Sequence, residues 1–152
     1  MPFKINISDK IGKTYKLELE SEELIGKELR KKLQGQEILP ALDGYELEIT
    51  GTSDKAGFPA SEDIEGIGLR GKILTYGKGM KKRPRKEGKK KYSKNKPKGL
   101  RLRKTMRGKT ISQETSQINM KVIKYGKKSL AEIFPEQNKP KEPEQKAEAK
   151  AE

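Results

Sequence analysis

No cysteine and no histidine occur among the 152 residues. The first absence excludes disulfides, thiolate metal sites and cysteine nucleophiles. The second removes the commonest general base and metal ligand. Tryptophan is also missing, and Phe and Tyr together make up only 5% of the chain. No apolar run approaches the roughly 20 residues needed to span a bilayer, and the N-terminus lacks the apolar stretch of a signal peptide. The chain is expected to be soluble and intracellular, with no membrane partner. Apolar residues account for 30%, near the low end for a globular core of this length, and the length itself suggests one domain.

Charge is what the chain has in plenty, and it is unevenly placed. Residues 1–77 carry 11 Lys/Arg against 14 Asp/Glu, whereas residues 78–109 carry 17 against the single Glu87. That one stretch, at +16, exceeds the net charge of the whole chain, +14.

The first 77 residues have the period-2 pattern of half-buried strands. Phe3, Ile5 and Ile7 alternate with Lys4 and Asn6, and Tyr15, Leu17 and Leu19 alternate with Lys16 and Glu18. With the turn residues Asp9 to Gly12 between them, residues 2–20 predict a hairpin. Ser21 is placed to cap a helix in which Leu24, Ile25, Leu29 and Leu33 share one face and Gly35 is the stop. This is the one long helix expected. Asp43-Gly44 turns into a strand from Tyr45 to Ile49, residues 51–68 read as a long ordered loop, and Lys72–Tyr76 as a strand ending at Gly77. A further strand is expected at Ile118–Val122 and a short helical turn at Ser129–Phe134.

Between 78 and 109 periodicity disappears and Gly and Pro interrupt Lys/Arg clusters. Such a segment buries too little surface to offset its ordering entropy, so it is expected to be extended or disordered alone and ordered on a polyanion. Residues 136–152 are low-complexity Lys/Glu/Pro/Ala sequence, expected to be a solvated tail. Lys72–Lys78 also resembles Lys121–Lys127. Either two strand ends are alike by chance, or they mark a pseudo-symmetric barrel with the arm inserted between its halves. The predicted fold is mainly β with one helix, a β-rich α+β class. Its small barrel-like core (1–77 and 110–135) and basic arm (78–109) form a single domain over 1–135, followed by a disordered tail.

The arm is the strongest chemical signal. Its cations are Lys78, Lys81, Lys82, Arg83, Arg85, Lys86, Lys89, Lys90, Lys91, Lys94, Lys96, Lys98, Arg101, Arg103, Lys104, Arg107 and Lys109. This density suits a nucleic-acid backbone, where Lys and Arg displace condensed counterions without reading sequence. A merely solvated face would mix both signs. Gly and Pro punctuation favours threading an irregular RNA surface over a helix in a DNA major groove, though a DNA-compacting protein stays the rival reading. Tyr92 is the only aromatic in the arm, so stacking is a minor term.

Other signals are weaker. Gly51, Asp54, Lys55, Gly57, Phe58 and Pro59 lie in a glycine-rich stretch that lacks P-loop spacing. They read as a structural loop, with Asp54 bonding local amides and Phe58 tucked into the core. Asp43, Glu46, Glu48, Asp54, Glu62, Asp63 and Glu65 lie close in sequence but show no magnesium-site spacing, and read as an acidic rim. No serine has a visible base partner. No enzymatic activity, cofactor or small-molecule substrate is expected.

Leu47–Pro59 resembles the signature loop of the eukaryotic/archaeal-type small-subunit ribosomal protein six family. Arg103–Ser112 resembles that family's second conserved block, and Ile118–Lys128 the segment that follows. The resemblance covers roughly residues 1–134 in the right order. Thr52 and Ala60 stand where the family has glycine and methionine, departures that bear on loop geometry. The long C-terminal helix of eukaryotic members, with its phosphorylated serines, has no counterpart, and no serine follows Phe134; the short form looks archaeal. The resemblance implies a non-enzymatic small-subunit component in the cytoplasm, whose partners are small-subunit ribosomal RNA and neighbouring ribosomal proteins.

Overall fold

Alternation of apolar and polar residues places β1 (Phe3–Ser8) and β2 (Thr14–Leu19) as an antiparallel hairpin in register Phe3↔Leu19 to Ser8↔Thr14. The computed structural model describes residues 2–83, 96 and 98–138. The remaining strands are β3 (Lys32–Gln34), β4 (Glu46–Asp54), β5 (Leu69–Leu74), β6 (Leu102–Arg107) and β7 (Thr115–Lys124). Five of them form one open sheet in the order β2-β1-β7-β4-β3. Here β1 runs parallel to β7 while the other neighbours are antiparallel, so the first and last strands lie side by side. β5 and β6 make a separate antiparallel ribbon. Among the described residues the one α-helix, α1 (Leu130–Ile133), follows a capping box in which Ser129 accepts from the Glu132 amide.

The core lies on one face of the large sheet. Phe3, Ile5, Ile7, Leu47, Ile49, Ile118, Met120 and Val122 point into it, and Leu24, Leu29, Ile38, Leu42, Ile111 and Leu130 cover them.

The helix expected from Ser21 does not form. Residues 21–31 are consecutive turns leading into β3. Gly26 at φ +85° and Arg30 at φ +66° are left-handed, a conformation that ends any right-handed helix. Amides that a helix would satisfy internally are bonded sideways instead: Gly26 N–H to Ile111 O (3.0 Å), Leu29 N–H to Lys109 O (3.0 Å) and Arg30 N–H to Ile49 O (2.9 Å). Leu24, Leu29 and Leu33 are buried all the same, because successive turns also repeat every few residues.

A second correction concerns the barrel. Both sheets are open, and Ala60↔Arg107 is the bridge by which the ribbon meets the end of β4's loop. A barrel needs a ladder that closes on itself. The two similar heptapeptides fall in different settings, for Val122 is 3% exposed at the centre of the large sheet and Ile73 is 59% exposed on the ribbon. They do not form a pseudo-symmetric pair.

Boundaries move as well. β4 runs through to Asp54, shortening the expected loop, and β5 begins at Leu69 rather than at Lys72. Part of the arm is folded, since Leu102–Arg107 pair with β5 as β6 and both Met106 and Met80 are buried. Of the tail expected over 136–152, Gln137 and Asn138 are instead held on β2, and what remains of the expected segment and tail is residues 84–95, 97 and 139–152. These lie outside the described residues.

Candidate nucleic-acid interface

The basic segment leaves the fold from β5 and returns as β6. At its start, Gly77 and Met80 exchange backbone bonds (2.8 and 3.2 Å) around Gly79, whose φ of +82° suits glycine. This turn lies on the inner side of the ribbon, where a Cβ on Gly79 would meet Leu74 Cδ1 and Met106 Cε at 3.2 Å. Beyond it, Arg83 Nε donates to the Tyr76 hydroxyl at 2.7 Å, and its guanidinium lies 5.4 Å from the centre of that ring. Lys96 Nζ approaches the same ring at 5.7 Å. Tyr76 therefore brings Arg83 and Lys96, thirteen residues apart, to one aromatic ring. In the sequence Tyr76 is only the end of a strand, and the signal for its role is its place immediately before the cluster.

Of the seventeen cations, Arg85, Lys86, Lys89, Lys90, Lys91 and Lys94 lie outside the described residues. Lys81, Lys82, Lys96, Lys98, Arg101, Arg103 and Lys104 are exposed, and among the described residues no carboxylate pairs with any of them. Three others have partners inside the fold. Lys78 donates to Thr50 O at 3.1 Å and lies 3.9 Å from Glu62, and Lys109 lies 3.5 Å from Glu28. Arg107 is buried at 9% exposure.

Arg107 is tied to the signature loop. Asp54 accepts from the Phe58 amide through Oδ1 (2.8 Å) and from Arg107 Nε through Oδ2 (2.9 Å). The other guanidinium nitrogens reach Ile67 O (3.1 Å) and Glu114 (2.6 Å). The Arg107 amide donates to Pro59 O and the Lys55 amide to Glu114 O. Gly57 takes the turn at φ +86°, and Phe58, expected to be tucked into the core, is only half-buried and lies outside the core cluster. The glycine-rich loop and Arg107 of the second conserved block thus form one ion-paired unit. No phosphate cradle is built there.

Of the seven acidic residues of the expected rim, all but Glu65 face a cation among the described residues, and Arg30 serves two of them. Asp43 faces Lys127 (3.0 Å), Glu46 faces Lys124 (2.7 Å), Glu48 faces Lys121 (3.0 Å) and Arg30 (3.2 Å), and Asp63 faces Lys72. Glu62 accepts from Arg30 at 2.8 Å. Hydrogen bonds from these cations hold Asp43, Glu46, Glu48 and Asp63 below the usual carboxylate range. Among the described residues, no three acidic groups converge on a point where a metal ion would sit.

A family model described as ribosomal protein S6e matches residues 3–135. Relatives named small ribosomal subunit protein eS6 align over most of their length. The one from Methanococcus maripaludis is 41% identical over 131 residues, covering 86% of this chain and 94% of the relative. The one from Methanosphaera stadtmanae is 41% identical over 139 residues (90% and 95%), and the one from Archaeoglobus fulgidus 40% over 138 residues (88% and 96%). The chain belongs to the ribosomal protein S6e family.

Proposed function

We propose that this protein is a structural constituent of the small ribosomal subunit, located in the cytoplasm with the ribosome, that holds ribosomal RNA through its basic segment. As a member of a ribosomal-protein family it is not an enzyme. The observation that carries the RNA reading is the density of cation between Lys78 and Lys109, rooted at both ends on a folded ribbon. Rooting matters because anchoring both ends shortens the chain that must be ordered on binding, and so lowers its entropy cost. The remaining exposed cations neutralise phosphates and release counterions. Arg107 and Lys109, and in part Lys78, orient the segment from inside the fold.

We take residues 1–135 as one domain with residues 78–109 as its RNA-binding arm, a unit that Gln137 and Asn138 extend by bonding to β2. The protein should sediment with small-subunit particles and leave them only after ribonuclease or high salt. Co-sedimentation with bulk DNA that survives ribonuclease would favour the DNA-compacting alternative.

A further inference from the structure

One face of the large sheet buries the core, and its opposite face is polar. Strand pairing aligns Lys16 (β2), Asn6 (β1), Asn119 (β7) and Gly51 (β4) in a row across that polar face. Their neighbours Tyr15, Ile5, Ile7, Ile118 and Met120 are buried, so the row points away from the core. At its centre, Asn6 Nδ2 (3.0 Å) and Gln117 Nε2 (2.8 Å) both donate to Asn119 Oδ1. Among the described residues Asn119 Nδ2 and the side-chain carbonyls Asn6 Oδ1 and Gln117 Oε1 have no partner. Gly51 carries no side chain, and Lys78 Nζ reaches over it, 3.6 Å from where a Cβ would stand. The row therefore has a cation at each end and unpaired amide donors and acceptors between, over a span of about 14 Å at normal strand spacing.

We propose that this row is a second RNA contact, receiving the shallow minor groove of an A-form duplex. This inference rests on the RNA-binding reading and adds a site and a form of RNA to it. Amides offer both donor and acceptor, which matches the 2′-hydroxyl, itself both, and the sugar edges of the bases. Lys16 and Lys78 are placed for the two phosphate strands that border the groove. No outward position on these strands is aromatic, so unpaired bases find no stacking platform here. A face without protruding rings suits a wide, shallow groove and not the narrow minor groove of B-form DNA. The carboxylates on the same face, Glu18, Glu46 and Glu48, lie outside the row, and each faces a lysine. Lys78 is also the first cation of the arm, which makes the two contacts continuous.

The test uses the full chain with a blunt duplex of about 16 base pairs, as RNA and as DNA of the same sequence, at one salt concentration. The wild type should prefer RNA. N6A/N119A should lower the RNA-over-DNA affinity ratio about tenfold, the size expected for losing two neutral hydrogen bonds. A K81A/K82A/R83A variant should weaken both duplexes and leave the ratio alone. If it weakens neither, the arm reading fails while the amide result still decides this one. An unchanged ratio in N6A/N119A overturns the proposal. Binding of neither duplex by the wild type also overturns it and leaves the face to a protein partner. A second measurement needs no variant: 2′-deoxy substitutions scanned through the RNA should cost affinity at consecutive riboses of one minor groove. Equal tolerance at every position would sink the idea.

Discussion

The Nε of Arg107 donates to Oδ2 of Asp54 across 53 residues of sequence, with both side chains almost fully buried. Arg107 sits among exposed cations of β6, yet it closes the loop 54–59 onto the ribbon instead of facing outward. Removing one partner of a buried pair strands the other's charge, at a cost of about 3–5 kcal/mol. D54A and R107A should each destabilise by that order in urea unfolding, and the double variant should cost less than the sum. Additive losses would mean that the two side chains do not act as a pair.

The exposed cations are expected to behave differently. Arg101, Arg103 and Lys104 have no carboxylate partner among the described residues, so R101A/R103A/K104A should leave the melting temperature close to unchanged. If about half of the 17 cations in this stretch reach phosphates, affinity for a ribosomal RNA fragment should fall at least about a thousandfold between roughly 50 and 200 mM salt. The triple variant should flatten that slope. A slope that stays the same would place the RNA elsewhere.

Tyr76 is predicted to act through the arm's root. Y76A removes the ring shared by Arg83 and Lys96 together with the hydroxyl that accepts from Arg83. RNA affinity should drop about three- to tenfold, because both ends of the arm then order at a higher entropy cost, while the salt slope keeps its value. Y76F keeps the ring and should recover most of the loss. Failure of phenylalanine to rescue would shift the role to the hydroxyl bond.

Acid titration should also leave a signature. Glu46, Glu48 and Asp63 are held below the usual carboxylate range, chiefly by hydrogen bonds from Lys124, Lys121 and Lys72. A carboxylate whose folded-state pKa is depressed contributes stability that is complete above its unfolded value, near 4, and lost as pH falls through the folded value. The melting temperature should therefore be flat from neutral down to about pH 5 and fall below about pH 4. Added salt should shrink this part, since the pairs are solvent-exposed. A melting temperature rising with acid would contradict it.

The strands were legible because a half-buried strand repeats every two residues, and Phe3, Ile5, Ile7 and Ile118, Met120, Val122 keep that period without interruption. The helix from Ser21 was misread for a related reason. Leu24, Leu29 and Leu33 satisfy helical spacing, but Gly26 and Arg30 take left-handed backbone that spacing does not encode. Arg107 was likewise indistinguishable from Arg103 in composition. Only the approach of Asp54, set by the pairing of β4 and of the loop after it, separates a buried pin from a phosphate ligand. The polar row was hidden too, because Asn6 and Asn119 lie 113 residues apart and meet only where the first and last strands pair.

That junction of chain ends makes the C-terminus the sharpest test of where the fold stops. Gln137 bonds both backbone groups of Lys16 (2.7 Å each) and Asn138 donates to Thr14 O (2.9 Å), so the residues after α1 cover the outer edge of β2. Before them, Leu130 is 3% exposed, Phe134 stacks on Tyr15 at 5.8 Å between ring centres, and Ile133 packs against the core. Residues 139–152 have alanine as their largest apolar side chain apart from two prolines. Deleting 139–152 should leave the melting temperature unchanged, because no large apolar group goes with them. Deleting from Glu136 should lower it by a few degrees, through exposed hydrogen bonds worth about 1 kcal/mol in all. Deleting from Leu130 removes three apolar side chains, each worth roughly 1.5–3 kcal/mol if fully buried, from a total of about 5–15 kcal/mol. That last variant should be unfolded or close to it. Three thermal melts decide the matter: equal melts for all three would place the end of the core before Leu130, and a large loss from the first deletion alone would mean that residues after Asn138 pack on the fold.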